Sequence, residues 1–244
     1  MSDGRARGRA RFTTILLCAL TPLVTPMSGA AQVNPGEAAN RGVYGVNDRA
    51  DRALLRPVAK GYTKAVPGFL RRAVHNVLLN LGTPLVAVNQ LLQGKPNEAF
   101  SDSGRFLVNS TVGIAGIFDP ATKLGIEEHT EDFGQTLAVW GVPSGPYMVV
   151  PFWGPSYLRH AFGMIVEFFA SPLRLISPAR DRYIAYGVTI IDRRARLIGP
   201  DEMIAGDDYL FVREAYQQRR EYLILDGAVE EDPFMMDEAW QEEP

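Results

Sequence analysis

Between residues 142 and 155 the chain carries four prolines (143, 146, 151, 155) and two glycines (145, 154). The residues between them are mostly apolar: Tyr147, Met148, Val149, Val150, Phe152 and Trp153. Proline fixes φ and has no backbone donor, so no regular helix can cross this segment. Breaker-rich loops are ordinarily polar and solvated. An apolar, proline-stiffened one must lie against something other than water: the protein's own core, a partner, or lipid. A buried connection between two helices is the plainest reading, although loops also carry function disproportionately.

The approach to this segment is helical. Glu131 and Asp132 sit where a helix start favours acid. Phe133, Leu137 and Trp140 come next at i, i+4, i+7 and make one apolar face. Gly141 ends the pattern. The rest of the chain reads as helices too. Asn47 is suited to cap a helix at Asp48, after an irregular or weakly helical stretch 33–45. Pro57 should kink or restart that helix before Gly61. Pro67 opens an amphipathic helix ended by Gly82, and Pro84 opens another, capped by Gly94. Asn97 starts a helix through Phe100 and Leu107. The uncharged run 111–118 after it has small residues suited either to a tight turn or to close helix packing in lipid. Further helices are expected over 157–171, over 181–197 with Tyr183, Ile184, Val188 and Ile191 facing inward, and from Asp207 to Gly227. Asp192, Arg193, Arg194 and Arg196 read as a wet helix end, and Arg219-Arg220 as part of a solvated face. No stretch alternates at period two over a strand length. The segment 147–152 is a continuous apolar run interrupted by Pro151. The expected fold is therefore mainly α, in one domain.

Residues 1–31 read as an export signal: Arg5, Arg7, Arg9 and Arg11, then a short apolar run 12–24, then small residues up to Ala31. Cys18, the one cysteine, lies inside that apolar run behind Leu17, and the mature chain is expected to begin after Ala30 or Ala31 without an acyl chain. The helical domain then spans 32–227. Residues 228–244 carry seven acidic residues and no basic one, and should form a disordered tail. The full chain has 244 residues, 46% of them hydrophobic, enough to bury a core. Its net charge of −3 and lack of a basic module give no reason to expect a nucleic-acid partner.

Chemistry is hard to find. His75, His129 and His160 are isolated in sequence, with no second ligand at metal spacing. Ser144 does not sit in a G-x-S-x-G turn. Glu127, Glu128, Glu131 and Asp132 are most simply a helix start, although paired carboxylates can also do acid–base work. There is no phosphate loop and no dinucleotide fingerprint. No catalytic residue, metal ligand or cofactor is expected. Three classes stay open: a lipid-translocating membrane protein, a periplasmic lipid-modifying hydrolase using Glu131 and Asp132, and a soluble helical scaffold that binds a partner.

Several motifs, in order, resemble the MlaA/VacJ family of outer-membrane proteins that maintain lipid asymmetry. They are Leu55-Arg56-Pro57-Val58, Asn80-Leu81 through Pro84, Asn89 to Gly94, Arg105-Phe106, Asn109-Ser110-Thr111, and Glu131-Asp132-Phe133-Gly134-Gln135-Thr136-Leu137. Trp140-Gly141-Val142-Pro143-Ser144-Gly145-Pro146-Tyr147, Ile191-Asp192-Arg193, Phe211-Val212-Arg213 and Asp226-Gly227 continue the series. The opening Asn34-Pro35-Gly36-Glu37-Ala38-Ala39-Asn40-Arg41 lacks the two aromatics usual in that family. The resemblance implies a flat helical ring in the outer membrane of a Gram-negative bacterium, with an amphipathic channel. It also implies three partners: phospholipid taken from the outer leaflet, a trimeric outer-membrane porin, and a periplasmic lipid-carrier protein. Candidates beside the lipid path are Trp140, Pro143, Gly145, Pro146, Tyr147, Pro151 and Trp153. Of these, Tyr147 would offer an amphipathic contact at head-group level. Gly145 would take a backbone angle that a side chain disfavours.

Overall fold

In a computed structural model of the chain, the described residues are 36–199, 201 and 206–228. The expected export signal lies outside them, as does the acidic tail beyond Ala228. The fold is mainly helical. In order come α1 (Glu37–Ala50), a π-helical turn (Asp51–Leu55), α2 (Arg56–Ala65), α3 (Gly68–Leu92) and α4 (Pro96–Thr111). Next are α5 (Pro120–Lys123), α6 (Phe133–Val139), β1 (Tyr147–Val150), β2 (Gly154–Tyr157) and α7 (Leu158–Ala170). A 3₁₀ turn (Pro172–Leu175) leads to α8 (Ala179–Arg196) and α9 (Asp208–Ile224). α3 packs along α4, α6 against α7, and α2 against α8.

The sequence expectations need three local corrections. α1 already begins at Glu37, so Asn47 lies inside a helix and caps nothing. Gly82 and Pro84 do not divide α3, which runs unbroken through both. Proline removes one backbone bond, but α3 packs along α4 and Thr83 Oγ1 donates to the Leu79 carbonyl at 3.1 Å. Of the two readings of the run 111–118, the structure takes the turn, with Gly116 N–H donating to the Asn109 carbonyl at 2.8 Å. Lastly, 147–157 is not an irregular loop but an antiparallel hairpin, with Tyr147 opposite Tyr157 and Val150 opposite Gly154. Pro151 falls in its turn, where no ladder donor is required.

One edge of that hairpin is closed by side chains. Val149 N–H donates to Asn40 Oδ1 at 2.9 Å, and Asn40 Nδ2 donates to the Tyr147 carbonyl at 3.2 Å. Seven residues on, Phe152 N–H donates to Asn47 Oδ1 at 2.9 Å while Asn47 Nδ2 donates to the Val150 carbonyl at 3.0 Å. Seven helical residues rise about 10.5 Å, and three strand residues span about 10 Å. The spacing of α1 therefore matches the spacing of β1, and two amides do the work of a third strand. This covers an edge that would otherwise present unpaired backbone groups.

Polarity in this body is inverted. Its buried apolar side chains are small or few: Ala59, Ala87, Ala99, Ala121, Tyr147, Val149 and Tyr209. Buried alongside them are Asn80, Asn89, Gln90, Asp102, Arg105, Asn109, Gln135, Thr136, Asp192 and Arg220. Meanwhile Phe69, Phe100, Leu107, Phe118, Phe162, Ile165 and Phe169 are exposed. Tyr183 and Ile184 on α8 are also exposed, against the inward face expected of them, while Asp192 is buried rather than wet. Scattered exposed apolar residues are normal; what carries information is buried polar groups together with a broad apolar exterior. Among the described residues no helix is long and apolar enough to cross a membrane.

Candidate functional site

Two helices supply much of the inversion. In α4, Asp102, Arg105 and Asn109 recur at i, i+3, i+7 and form a buried polar stripe, while Phe100 and Leu107 face out. In α3, Asn80, Asn89 and Gln90 are turned inward. Between these helices and α6, α7, α8 and α9 lies a cavity of about 430 Å³. One wall carries the apolar Leu78, Leu79, Gly82 and Val86 of α3; apart from Leu223 of α9, the remaining lining residues are polar or charged.

Each carboxylate on the polar wall is held. Asp102 accepts from Gln90 Nε2 at 2.6 Å and lies 2.9 Å from His129 Nδ1. Arg105 Nη2 donates to Asp119 at 2.7 Å and to Glu128 at 3.2 Å, while its Nη1 donates to the Ile126 carbonyl at 2.7 Å. Glu131 accepts from Lys95 Nζ and from Gln93 Nε2, both at 2.9 Å. Asp132 caps α6 by accepting from Gln135 N–H at 2.8 Å, and both its oxygens take the fork of Arg220. Burial pushes Asp132 up, but the hydrogen bonds and charge of Arg220 outweigh it and hold the carboxyl below its ordinary range.

Ser156, His160 and Asp132 lie near one another in the manner of a hydrolase triad, but they cannot act as one. Ser156 is fully buried, and its hydroxyl donates to the Tyr157 carbonyl at 3.1 Å. His160 Nδ1 is 2.8 Å from Tyr216 Oη and 3.3 Å from Ser156 Oγ, and Asp132 is already spent on Arg220.

Beneath this cluster, Glu167 accepts the Phe133 N–H at 2.6 Å. Burial pushes Glu167 from 4.5 up to about 7, with the Asp132 charge adding to it. Burial and then the charge of Arg220 lower His160 from its ordinary 6.5. The signs are opposite. Between 4.5 and about 7 the folded state keeps a proton on Glu167 that the unfolded chain has released, so stability falls as pH rises. Below 6.5 the unfolded chain binds a proton that folded His160 resists, so stability rises with pH. Glu167→Gln can still accept from Phe133 and should remove the falling component alone. The thermal midpoint measured across that pH range in detergent checks this; an unchanged profile would contradict it.

Of the candidates from the proline-rich segment, none lines the cavity. Tyr147 is 9% exposed, packed with Val149 and Tyr209 and against the rings of Tyr157 and Tyr216. It sits in the core, because the hairpin turns its side chain toward α9 and Asn40 of α1 holds its carbonyl. Trp140, Pro143, Gly145, Pro146, Pro151 and Trp153 are exposed. Gly145 does have the expected unusual backbone, at φ +70°, and a Cβ there would lie 2.9 Å from Leu158 Cβ. Gly145→Val should cost about 1–3 kcal/mol from the backbone alone. A lowered unfolding midpoint reads this out; a midpoint equal to wild type would refute it. The cavity residues of α3, α4, α8 and α9 carry no sequence motif that marks them as a site. The signal present is the polar stripe 102, 105, 109 on the face of α4 opposite Phe100 and Leu107.

A model of the MlaA lipoprotein family matches residues 32–223. The chain belongs to the MlaA family. The match takes in every residue lining the cavity. An MlaA relative in Escherichia coli, named as an intermembrane phospholipid transport system lipoprotein, is 33% identical over 202 residues, covering 80% of this chain and 79% of that one. The similarly named MlaA of Haemophilus influenzae is 31% identical over 186 residues, covering 74% of each. A protein of Rickettsia typhi is 34% identical over 192 residues, 77% of this chain and 76% of its own. A solved structure, described as the structural basis for maintenance of bacterial outer membrane lipid asymmetry, superposes with a TM-score of 0.69 at 30% identity. That alignment covers 78% of this chain and 98% of the other.

Proposed function

We propose that this chain transports phospholipid at the outer membrane of a Gram-negative bacterium, without covalent chemistry. On this reading it takes mislocalised phospholipid from the outer leaflet through the amphipathic cavity. It passes the lipid to a periplasmic carrier protein and works in association with a trimeric porin. The observation that carries the reading is the inverted polarity around that cavity. Water penalises an exterior built from Phe69, Phe100, Phe118 and Phe169, whereas hydrocarbon does not. A phospholipid has a charged head and two acyl chains, so its path needs a wet wall and a dry one, and the cavity has both. The names of the Escherichia coli and Haemophilus influenzae relatives support the same class of activity.

The proline-rich segment then has an anchoring role. Phe152, in the hairpin turn at φ +64°, is 76% exposed and Trp153 is 66% exposed. With Trp140 and the exposed prolines 143, 146 and 151 they form a surface suited to the lipid interface, where tryptophan is favoured. A hydrolase is the weaker reading, because Glu131 and Asp132 are both committed to structural bonds.

Deleting the gene in its own host tests the proposal. Phospholipid in the outer leaflet, measured by its accessibility to a surface phospholipase, should rise and return to normal when the gene is restored. A deletion strain whose outer leaflet stays clear of phospholipid would end this reading.

A further inference from the structure

Charge in the cavity does not balance among its own walls. Every lining carboxylate already has a donor, and Arg105 and Arg220 are consumed in holding them. Two lining guanidiniums remain, Arg193 of α8 and Arg219 of α9. Neither has a hydrogen bond or ion pair among the described residues, and both are exposed. Arg193 influences Glu167 through space only, without contact. The two lining guanidiniums without a partner share that cavity with the dry wall of Leu78, Leu79 and Val86. A planar guanidinium presents paired donors that match phosphate oxygens, and two of them can serve both free oxygens of a phosphodiester.

We propose that Arg193 and Arg219 together bind the phosphate of a glycerophospholipid whose acyl chains lie on the α3 wall. This rests on the transport reading and adds to it the point at which the head group is recognised. A lipid lacking the phosphate, such as a diacylglycerol, then has the dry wall but no polar partner. Free phosphate has the arginines but no dry wall.

The test uses the full-length protein in detergent, loaded from mixed micelles with dioleoylphosphatidylglycerol or dioleoylglycerol, with bound lipid measured by mass spectrometry. The variant Arg193→Gln/Arg219→Gln should bind phosphatidylglycerol about tenfold less or weaker still, the loss of at least one charge-assisted bond's worth of affinity. Its binding of diacylglycerol should not change. Arg193→Lys/Arg219→Lys should recover part of the loss, because charge is kept while the paired donors are not. Both arginines are exposed, and an unaltered unfolding midpoint separates lost binding from lost fold. If the wild type binds phosphatidylglycerol and the glutamine variant binds it equally, the arginines are merely solvated; this inference falls and the transport reading stands. It falls likewise if the wild type takes diacylglycerol as readily as phosphatidylglycerol. Displacement of the lipid by inorganic phosphate at equal concentration would make this a free-phosphate site and overturn it too. A wild type that binds neither lipid removes the transport reading itself.

Discussion

Gly163→Val should separate α6 from α7 and leave little folded protein. A Cβ at position 163 would lie 2.6 Å from Gly134 N and 3.0 Å from Gly134 Cα, and one at 134 would lie 3.1 Å from His160 Cα. The obstacle to a side chain at 163 is backbone, so no flexible side chain can swing away. Two helices meet here glycine on glycine, and a valine would force them apart. The same movement would pull Phe133 N–H from Glu167, now at 2.6 Å, and disturb Asp132 at the head of α6. Overpacking of this kind typically costs about 1–3 kcal/mol, and the lost hydrogen bond adds about 1 kcal/mol or more. For a protein of ordinary marginal stability that is a large share of the total. Gly163→Ala should be damaging as well, since the first added carbon already collides. Steady-state protein in the membrane fraction and the unfolding midpoint in detergent are the measurements. A valine variant at wild-type level with an unshifted midpoint would show that the two helices can part here at little cost.

Arg220→Ala should be of similar severity, by a different route. Arg220 is buried, and it joins α9 to the start of α6 by placing two donors on the two oxygens of Asp132. Removing one partner of such a pair leaves an uncompensated charge, at a cost of about 3–5 kcal/mol. Arg220→Lys should rescue only in part, because an ammonium is a point donor and cannot span both oxygens. Asp132→Asn combined with Arg220→Met should be milder than Arg220→Ala alone, since no charge is then left unpaired. His160 supplies an independent readout. The charge of Arg220 helps to lower its titration and Asp132 opposes that; losing Arg220 should therefore move His160 upward, as seen by NMR of the ring. An Arg220→Ala protein that is as stable as the wild type, with His160 unmoved, would mean that the pair does not hold α9 in place.

These two positions show what can be read from sequence and what cannot. Helical periodicity locates α4, α7, α8 and α9 to within a few residues, because apolar spacing is a local property of the chain. It does not tell which face of each helix is inside. Tyr183 and Ile184 read as inward on the assumption that apolar residues seek the core, whereas here the surroundings accept them and the interior takes Asp192. Arg220 reads as a solvated residue beside Arg219 until α9 is laid against α6, and its partner lies 88 residues away. Pro84 reads as a helix start on local grounds, and only the packing of α3 on α4 explains why the helix continues. The hairpin escapes a periodicity reading because its alternation is hidden: β1 is apolar on both faces, and β2 contains Gly154 and Pro155. Gly145 is legible, since a glycine flanked by prolines in a turn has few other uses. The family resemblance covers the whole body, yet the cavity's charged wall is assembled from α4, the segment 119–132, α8 and α9 and is visible only once they are brought together.

The paired amides of α1 have one more consequence. Asn40 and Asn47 work as a gauge: the number of residues between them is fixed by the strand they serve. A substitution at an exposed site between them leaves the gauge intact. One residue inserted or deleted there turns Asn47 by about 100° around the helix axis, and no side-chain adjustment can restore a two-point match. Length variation in this part of the chain is therefore confined to the segment before Asn40 and to the residues after Asn47. The π-helical turn Asp51–Leu55 sits directly beyond the second amide. A π-turn is the form that one surplus residue takes in a helix, so it marks the place where an insertion can be absorbed while the hairpin's edge stays paired.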